Sequence, residues 1–156
     1  MGRLDRPVAE PYRSLVLLVQ KEVGERIRSQ PGSSAYSALS VRMQLLGACR
    51  TVCPVPPRCF KPPPKVESEV IAIDPLPPEQ RLDPALARTV ESLLKRCFAS
   101  RRKMLRNTLA GLADPAVLQA LASAAGIELG QRPHDVAPAA WVALAAGLNQ
   151  ANAHPS

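Results

Sequence analysis

The chain has 156 residues, 46% of them hydrophobic, which is enough for one sizeable core or two small ones. No run reaches the roughly 18–20 apolar residues that cross a bilayer, and MGRLDRPVAEPYRS at the start lacks the apolar centre of a secretory signal, so a soluble cytoplasmic protein with no membrane partner is expected. Twenty Lys and Arg against 13 acids give a net charge of +7, which favours a polyanionic partner, nucleic acid first, with simple solubility as the plain alternative.

SLVLLV (14–19) is a short apolar run that suits a strand covered on both faces. KEVGERIRSQ (21–30) spaces Val23 and Ile27 four apart, as a short amphipathic helix does, and PGSS (31–34) is a turn. Ser40 can N-cap a helix running to about Cys49, with Val41, Leu45 and Leu46 on its apolar face. TVCPV (51–55) reads as a brief strand whose proline assigns it to an edge or an end. VESEVIAI (66–73) alternates imperfectly and reads as a further strand.

DPLPPEQRLDP (74–84) has prolines, charges and no periodicity, the marks of a linker. Beyond it LARTVESLLKRCF, MLRNTLAGL, PAVLQALASAAG and PAAWVALAAGLN all carry apolar residues at helical spacing. Pro115 and Pro138 fit first turns, Gly111 and Gly126 fit helix ends, and the tail ANAHPS reads as frayed. The expected division is an α/β part over residues 1–74, a linker over 75–84 and a helical part over 85–150.

Cysteines at 49, 53, 59 and 97 match no zinc-ligand spacing, and both histidines, His134 and His154, lie far along the chain. No metal site is expected, and the cysteines read as buried free thiols of a reducing compartment.

Between Glu91 and Asp114 there is no acid, yet Lys95, Arg96, Arg101, Arg102, Lys103 and Arg106 fall there. On one continuous helix, Arg101 would enter the apolar stripe of Leu94, Phe98, Leu105 and Leu109, which is costly unless it is paired. A break near Ser100, with that serine capping a second helix, removes the conflict. A solvated helix face usually mixes signs, so this acid-free run points to phosphate-backbone contact by Lys95, Arg101, Arg102, Lys103 and Arg106.

LVQKEVGERI, PGSSAYSALSV, FKPPPKVESEVI and FASRRKMLRNTL occur in this order and together resemble the bacterial small-subunit rRNA adenine N6,N6-dimethyltransferases, the kasugamycin-sensitivity methylases. Macrolide-resistance rRNA methylases and mitochondrial transcription factor B proteins are similar at a greater distance. The resemblance runs from about Leu15 to Leu148. It implies the last strands of a seven-stranded, Rossmann-like methyltransferase sheet followed by a small C-terminal helical domain. It also implies S-adenosylmethionine as the cofactor of the full-length family, and the small-subunit rRNA of the 30S ribosomal subunit as the partner. In the family motif F-x-P-x-P-K-V-x-S the phenylalanine forms one wall of the pocket for a flipped adenine. Phe60, Pro62, Pro64, Lys65, Val66 and Ser68 match it, which makes Phe60, Pro62, Pro64 and Lys65 the candidate substrate-binding residues. A base removed from its stack needs an aromatic platform, and prolines with fixed φ hold one at little entropic cost. From the residues alone, a phenylalanine that merely plugs a sheet edge is the alternative.

Two family features have no counterpart here. None of the eight glycines, at 2, 24, 32, 47, 111, 126, 130 and 147, builds a cofactor loop, and the Asn-Leu-Pro-Tyr signature that would hold the adenine amino group is absent. No catalytic or cofactor-binding residue is therefore assigned, and this chain by itself is expected to bind no S-adenosylmethionine and to transfer no methyl group. MGRLDRPVAEPY resembles the region just before the family's fifth strand. The chain thus reads as the C-terminal, substrate-side part of the enzyme, as a gene fragment, a truncated product or half of a split enzyme, with an N-terminal methyltransferase half as its missing partner. The alternatives are a non-catalytic RNA-binding module in small-subunit assembly and a DNA-associated transcription factor.

Overall fold

A computed structural model describes residues 13–153. The start of the chain, including the stretch compared above with the region before a fifth strand, and the end of its tail lie outside the described residues. Packing groups the chain into two compact units: the residues up to Arg28 with Met43–Arg81, and Ser29–Arg42 with the residues from Leu82 onward. This differs from a linear division at 74 and 85, because residues 29–42 are held by the helical unit. Tyr36 is fully buried there, and its hydroxyl donates to the Val136 carbonyl at 2.6 Å. The Gly32 amide donates to the His134 carbonyl at 2.7 Å, and Arg42 pairs with Glu91 at 2.7 Å.

The α/β unit is built on a three-stranded antiparallel sheet of order β1-β3-β2, with β1 Leu15–Gln20, β2 Gly47–Val55 and β3 Ser68–Pro75. Helix α1, Lys21–Arg28, follows β1 without a loop and buries Gly24 and Ile27. Its face of the sheet carries Leu15, Leu17 and Val19 of β1 opposite Ile73, Ile71 and Glu69 of β3. The other face pairs Val16 with Ala72 and Leu18 with Val70. Val16 is 60% and Leu18 55% exposed, so the expectation of a strand covered on both faces is corrected. A strand is covered only where a second layer lies on it, and α1 supplies one layer alone.

Helix α2, Ala38–Leu46, starts before Ser40, which lies in its first turn and accepts a bond from the Ser37 amide at 3.0 Å rather than acting as the N-cap. It ends before Cys49 because β2 begins at Gly47, where a Cβ would sit 2.0 Å from the Asp74 carbonyl oxygen. Only glycine admits that approach. Leu46, expected on the apolar face, is exposed. Strand β2 is longer than TVCPV, bulges between Thr51 and Cys53, and tolerates Pro54 at a sheet edge, as its composition predicts.

In the helical unit, Asp83 caps α3, Pro84–Phe98, by accepting from the Leu86 amide at 2.7 Å. Helix α4, Leu105–Thr108, is a single turn; α5 is Pro115–Ala124 and α6 is Pro138–Ala153. Gly111 and Gly126 take positive φ, at 91° and 77°, as residues past helix ends do. Leu94, Leu105, Leu109, Trp141 and Leu144 are fully buried, with the Phe98 and Trp141 rings 6.0 Å apart. All four cysteines are free, but only Cys97 is buried; Cys53 and Cys59 are exposed, which corrects the expectation of four buried thiols. Burial pushes the Cys97 thiol up and makes it a poor nucleophile.

Candidate functional site

The motif residues Phe60 to Val66 lie in one loop, 56–67, which joins the end of β2 to the start of β3, and Ser68 opens β3. The pairing of Gln20 with Ser68 brings β1 to its last residue beside this junction. The Lys21 amide then donates to the Glu67 carbonyl at 2.9 Å, so the loop stands at the carboxyl end of β1. Ligands of open α/β sheets bind outside such strand ends. Pro56 and Pro57 start a single 3-10 turn, Pro57–Cys59, and the Phe60 amide closes it by donating to the Pro57 carbonyl at 3.1 Å. Phe60 is therefore held by the backbone at the end of that turn, with its side chain half-buried. Pro62 and Lys65 are exposed and Pro64 is half-buried. A half-buried ring has a face to offer, which a core plug would not.

Behind this loop, β3 carries the buried Glu69, which accepts from Arg28 Nη1 at 2.5 Å and from Thr51 Oγ1 at 3.4 Å. Gly24 lets α1 lie over that carboxylate, because a Cβ there would meet Glu69 Oε1 at 2.6 Å. The pair ties α1, β2 and β3 together directly behind the loop.

In the helical unit the break that the acid-free run requires falls between Phe98 and Leu105. Ser100 does not cap the second helix, whose N-cap position is Met104. The first amides of α4 find carbonyls instead: Leu105 donates to Gln131 at 2.8 Å and Arg106 to Leu129 at 2.9 Å. Arg101 is half-buried, with Nη2 donating to the Tyr36 carbonyl at 3.1 Å and to that of Ser34 at 3.4 Å. Its charge is thus kept out of the apolar stripe and tethered. Arg96 is likewise committed, donating to the Thr108 carbonyl and, at 2.8 Å, to that of Ala110.

Lys95, Arg102, Lys103 and Arg106 are exposed, and Arg106 lies over Gly130, where a Cβ would approach its Nη2 to 3.2 Å. Sequence reasoning missed Arg132. Its Nε donates to the Arg102 carbonyl at 2.8 Å, and it lines a cleft of about 460 Å³ with Gly32, Ser34, Arg101, Arg102 and His134. Nothing local in GQRPHD marks it, because its partners at Gly32, Ser34, Arg101 and Arg102 come from two distant stretches of chain.

Strand β1 passes into α1 with no intervening loop, and Gly24 and Gly47 are spent on close packing. Among the described residues no group of three or more His, Cys, Asp or Glu could hold a metal ion, and no helix is long and apolar enough to cross a membrane.

A sheet with helices on it, continued by a helical unit, is also the fold of known methyltransferases. The crystal structure of a dimethyladenosine transferase from Plasmodium falciparum superposes with a TM-score of 0.71 at 23% identity, over 92% of this chain and 59% of that one. The 23S rRNA methyltransferase ErmE gives 0.62 at 26% identity, over 88% and 55% of the two chains. Residues 8–150 match the sequence model of the ribosomal RNA adenine dimethylase family, and the chain belongs to that family. Curated relatives called ribosomal RNA small subunit methyltransferase A are 69% identical over 150 residues in Parasynechococcus marenigrum (strain WH8102) and 69% identical in Synechococcus sp. (strain CC9311). Each alignment covers 96% of this chain but 50% and 54% of the relative, so the chain spans about half the length of the curated relatives it matches.

Proposed function

We propose that this chain is the substrate-side portion of an rRNA adenine N6,N6-dimethyltransferase that acts on small-subunit rRNA in the cytoplasm. The observation that carries this reading is the loop 56–67 at the carboxyl end of β1, with Phe60 half-buried and fixed between proline segments. Phe60 stacks on the flipped adenine, Pro62 and Pro64 fix its angle of presentation, and Lys65 holds the neighbouring backbone. The helical unit grips RNA phosphates through Lys95, Arg102, Lys103, Arg106 and Arg132, while Arg101 holds the segment that frames the cleft. S-adenosylmethionine, which supplies the methyl group in the full-length family, is bound by a cofactor-binding half, which also covers the exposed face of β1. Without that half the chain binds RNA but transfers no methyl group.

The test combines this chain with the cofactor-binding half of a relative and follows methyl transfer to small-subunit rRNA. Transfer should require both halves. Phe60→Ala should cut it by about 5- to 150-fold, the equivalent of the roughly 1–3 kcal/mol of one stacked base, and Phe60→Tyr should restore it. Methylation and thermal stability falling together in Phe60→Ala would make Phe60 a core plug. Undiminished methylation would remove it from the site.

A further inference from the structure

The loop 56–67 holds more than an aromatic platform. Phe60 is flanked by Arg58 two residues before it and Lys61 immediately after it, with Lys65 following, and no acid occurs until Glu67. All three cations are exposed, and none makes an ion pair or a side-chain hydrogen bond among the described residues. The nearby acids cannot compensate them, because each already has its own partner. Glu67 pairs with Lys21 at 3.3 Å, Glu69 with Arg28 at 2.5 Å and Asp74 with Arg50 at 2.9 Å. Three like charges within eight residues repel one another, and a flexible loop would spread them apart. Here Pro56, Pro57, Pro62, Pro63 and Pro64 restrict the backbone, and the amides of Cys59 and Phe60 close the turn onto the carbonyls of Pro56 and Pro57, both at 3.1 Å. The backbone that carries these charges on either side of Phe60 is therefore set in advance, so less entropy is lost when an anion binds.

We propose that Arg58 and Lys61, with Lys65, form a phosphate-binding rim that grips the single-stranded RNA backbone on either side of the base stacked on Phe60. This rests on the functional reading above and extends it, since Arg58 precedes the substrate motif and Lys61 fills one of its unspecified positions. A flipped nucleotide leaves the phosphates before and after it splayed and locally unscreened. Cations on both sides of the aromatic platform offset that cost. The rim belongs to the α/β unit, and its contribution to binding is separable from that of the cationic cluster between Lys95 and Arg132.

The experiment measures binding of a single-stranded oligoadenylate to the full chain across a salt series, for the unsubstituted protein and for the Arg58→Gln, Lys61→Gln double variant. Each phosphate contact on a single strand contributes about 0.7 to the slope of log K against log salt, so the double variant should lose about 1.4. Its disadvantage should shrink by about 7-fold between 50 and 200 mM salt. Its thermal midpoint should not move, because both side chains are exposed. Lys61→Arg should keep the full slope. An unchanged slope in the double variant overturns the rim and leaves the functional reading standing. Failure of the unsubstituted chain to bind oligoadenylate while it binds small-subunit rRNA does the same. Failure to bind either RNA overturns both.

Discussion

The two units bury their apolar residues very differently. Among the described residues, the exposed large hydrophobic side chains Val16, Leu18, Leu46, Val52 and Val66 belong to the α/β unit, and Val117 alone belongs to the helical unit. The fully buried large side chains divide the other way: Tyr36, Val41, Leu94, Leu105, Leu109, Trp141 and Leu144 are in the helical unit, against Ile71 and Ile73 in the α/β unit. Three antiparallel strands with one short helix have a face to spare. A set of helices that close on each other does not. Among the described residues, the helical unit thus closes its core on itself, whereas the α/β unit leaves apolar side chains exposed on one face of its sheet.

The largest effect is expected where burial is deepest. Trp141 is fully buried against Phe98, and Trp141→Ala removes an indole that neighbouring helices cannot fill. The loss should be about 3–5 kcal/mol, read as a lower midpoint in urea unfolding followed by circular dichroism. A loss under about 1 kcal/mol would mean that the helical core is loose and the contrast between the units is false.

A smaller effect tests how residues 29–42 belong to the helical unit. Tyr36 donates to the Val136 carbonyl, and burial pushes its phenol above the usual tyrosine range. The folded-state value is raised above the unfolded value, so this contribution is fully present below about pH 10 and is lost as pH rises beyond it. Tyr36→Phe should cost about 1 kcal/mol at neutral pH through the lost hydrogen bond. It should also remove part of the fall in stability above about pH 10. Identical alkaline unfolding of the two proteins would show that Tyr36 is not held as the structure has it.

Legibility in the sequence follows the range of the interactions. Helices α3, α5 and α6 are readable because apolar spacing, Pro115, Pro138 and Gly126 act within a turn or two of themselves. The break before α4 is readable because a charge cannot sit in an apolar stripe, but its cap is not. Its first amides bond the carbonyls of Leu129 and Gln131, and no local residue reports that. The first half of β2 is hidden for the same reason: GACR has no strand pattern, and it pairs because Gly47 admits the Asp74 carbonyl. The Phe60 loop is the reverse case. Its motif is plain in the sequence through resemblance, while its place at the carboxyl end of β1 emerges only from the register of β1 and β3. Arg132 joins Arg102 by tertiary approach alone.

The smallest effect on stability is expected on the face that the α/β unit leaves open. Val16 and Leu18 point away from α1, at 60% and 55% exposure, on a strand whose only partner among the described residues is β3. Apolar side chains in water gain little from folding, so Val16→Ser with Leu18→Ser should change the unfolding free energy by no more than about 0.5 kcal/mol for each substitution. An apolar, unpaired strand edge is at the same time a template for association. The double variant should therefore self-associate less than the unsubstituted chain in sedimentation at equal concentration. It should also bind a cofactor-binding half more weakly, because the two side chains are part of the surface that half would cover. Association falls here while stability hardly moves, which no general weakening of the fold would produce. A loss above about 1.5 kcal/mol in the double variant would place these side chains in a core, more than surface substitutions cost, and the contrast between a closed helical unit and an open α/β unit would fail.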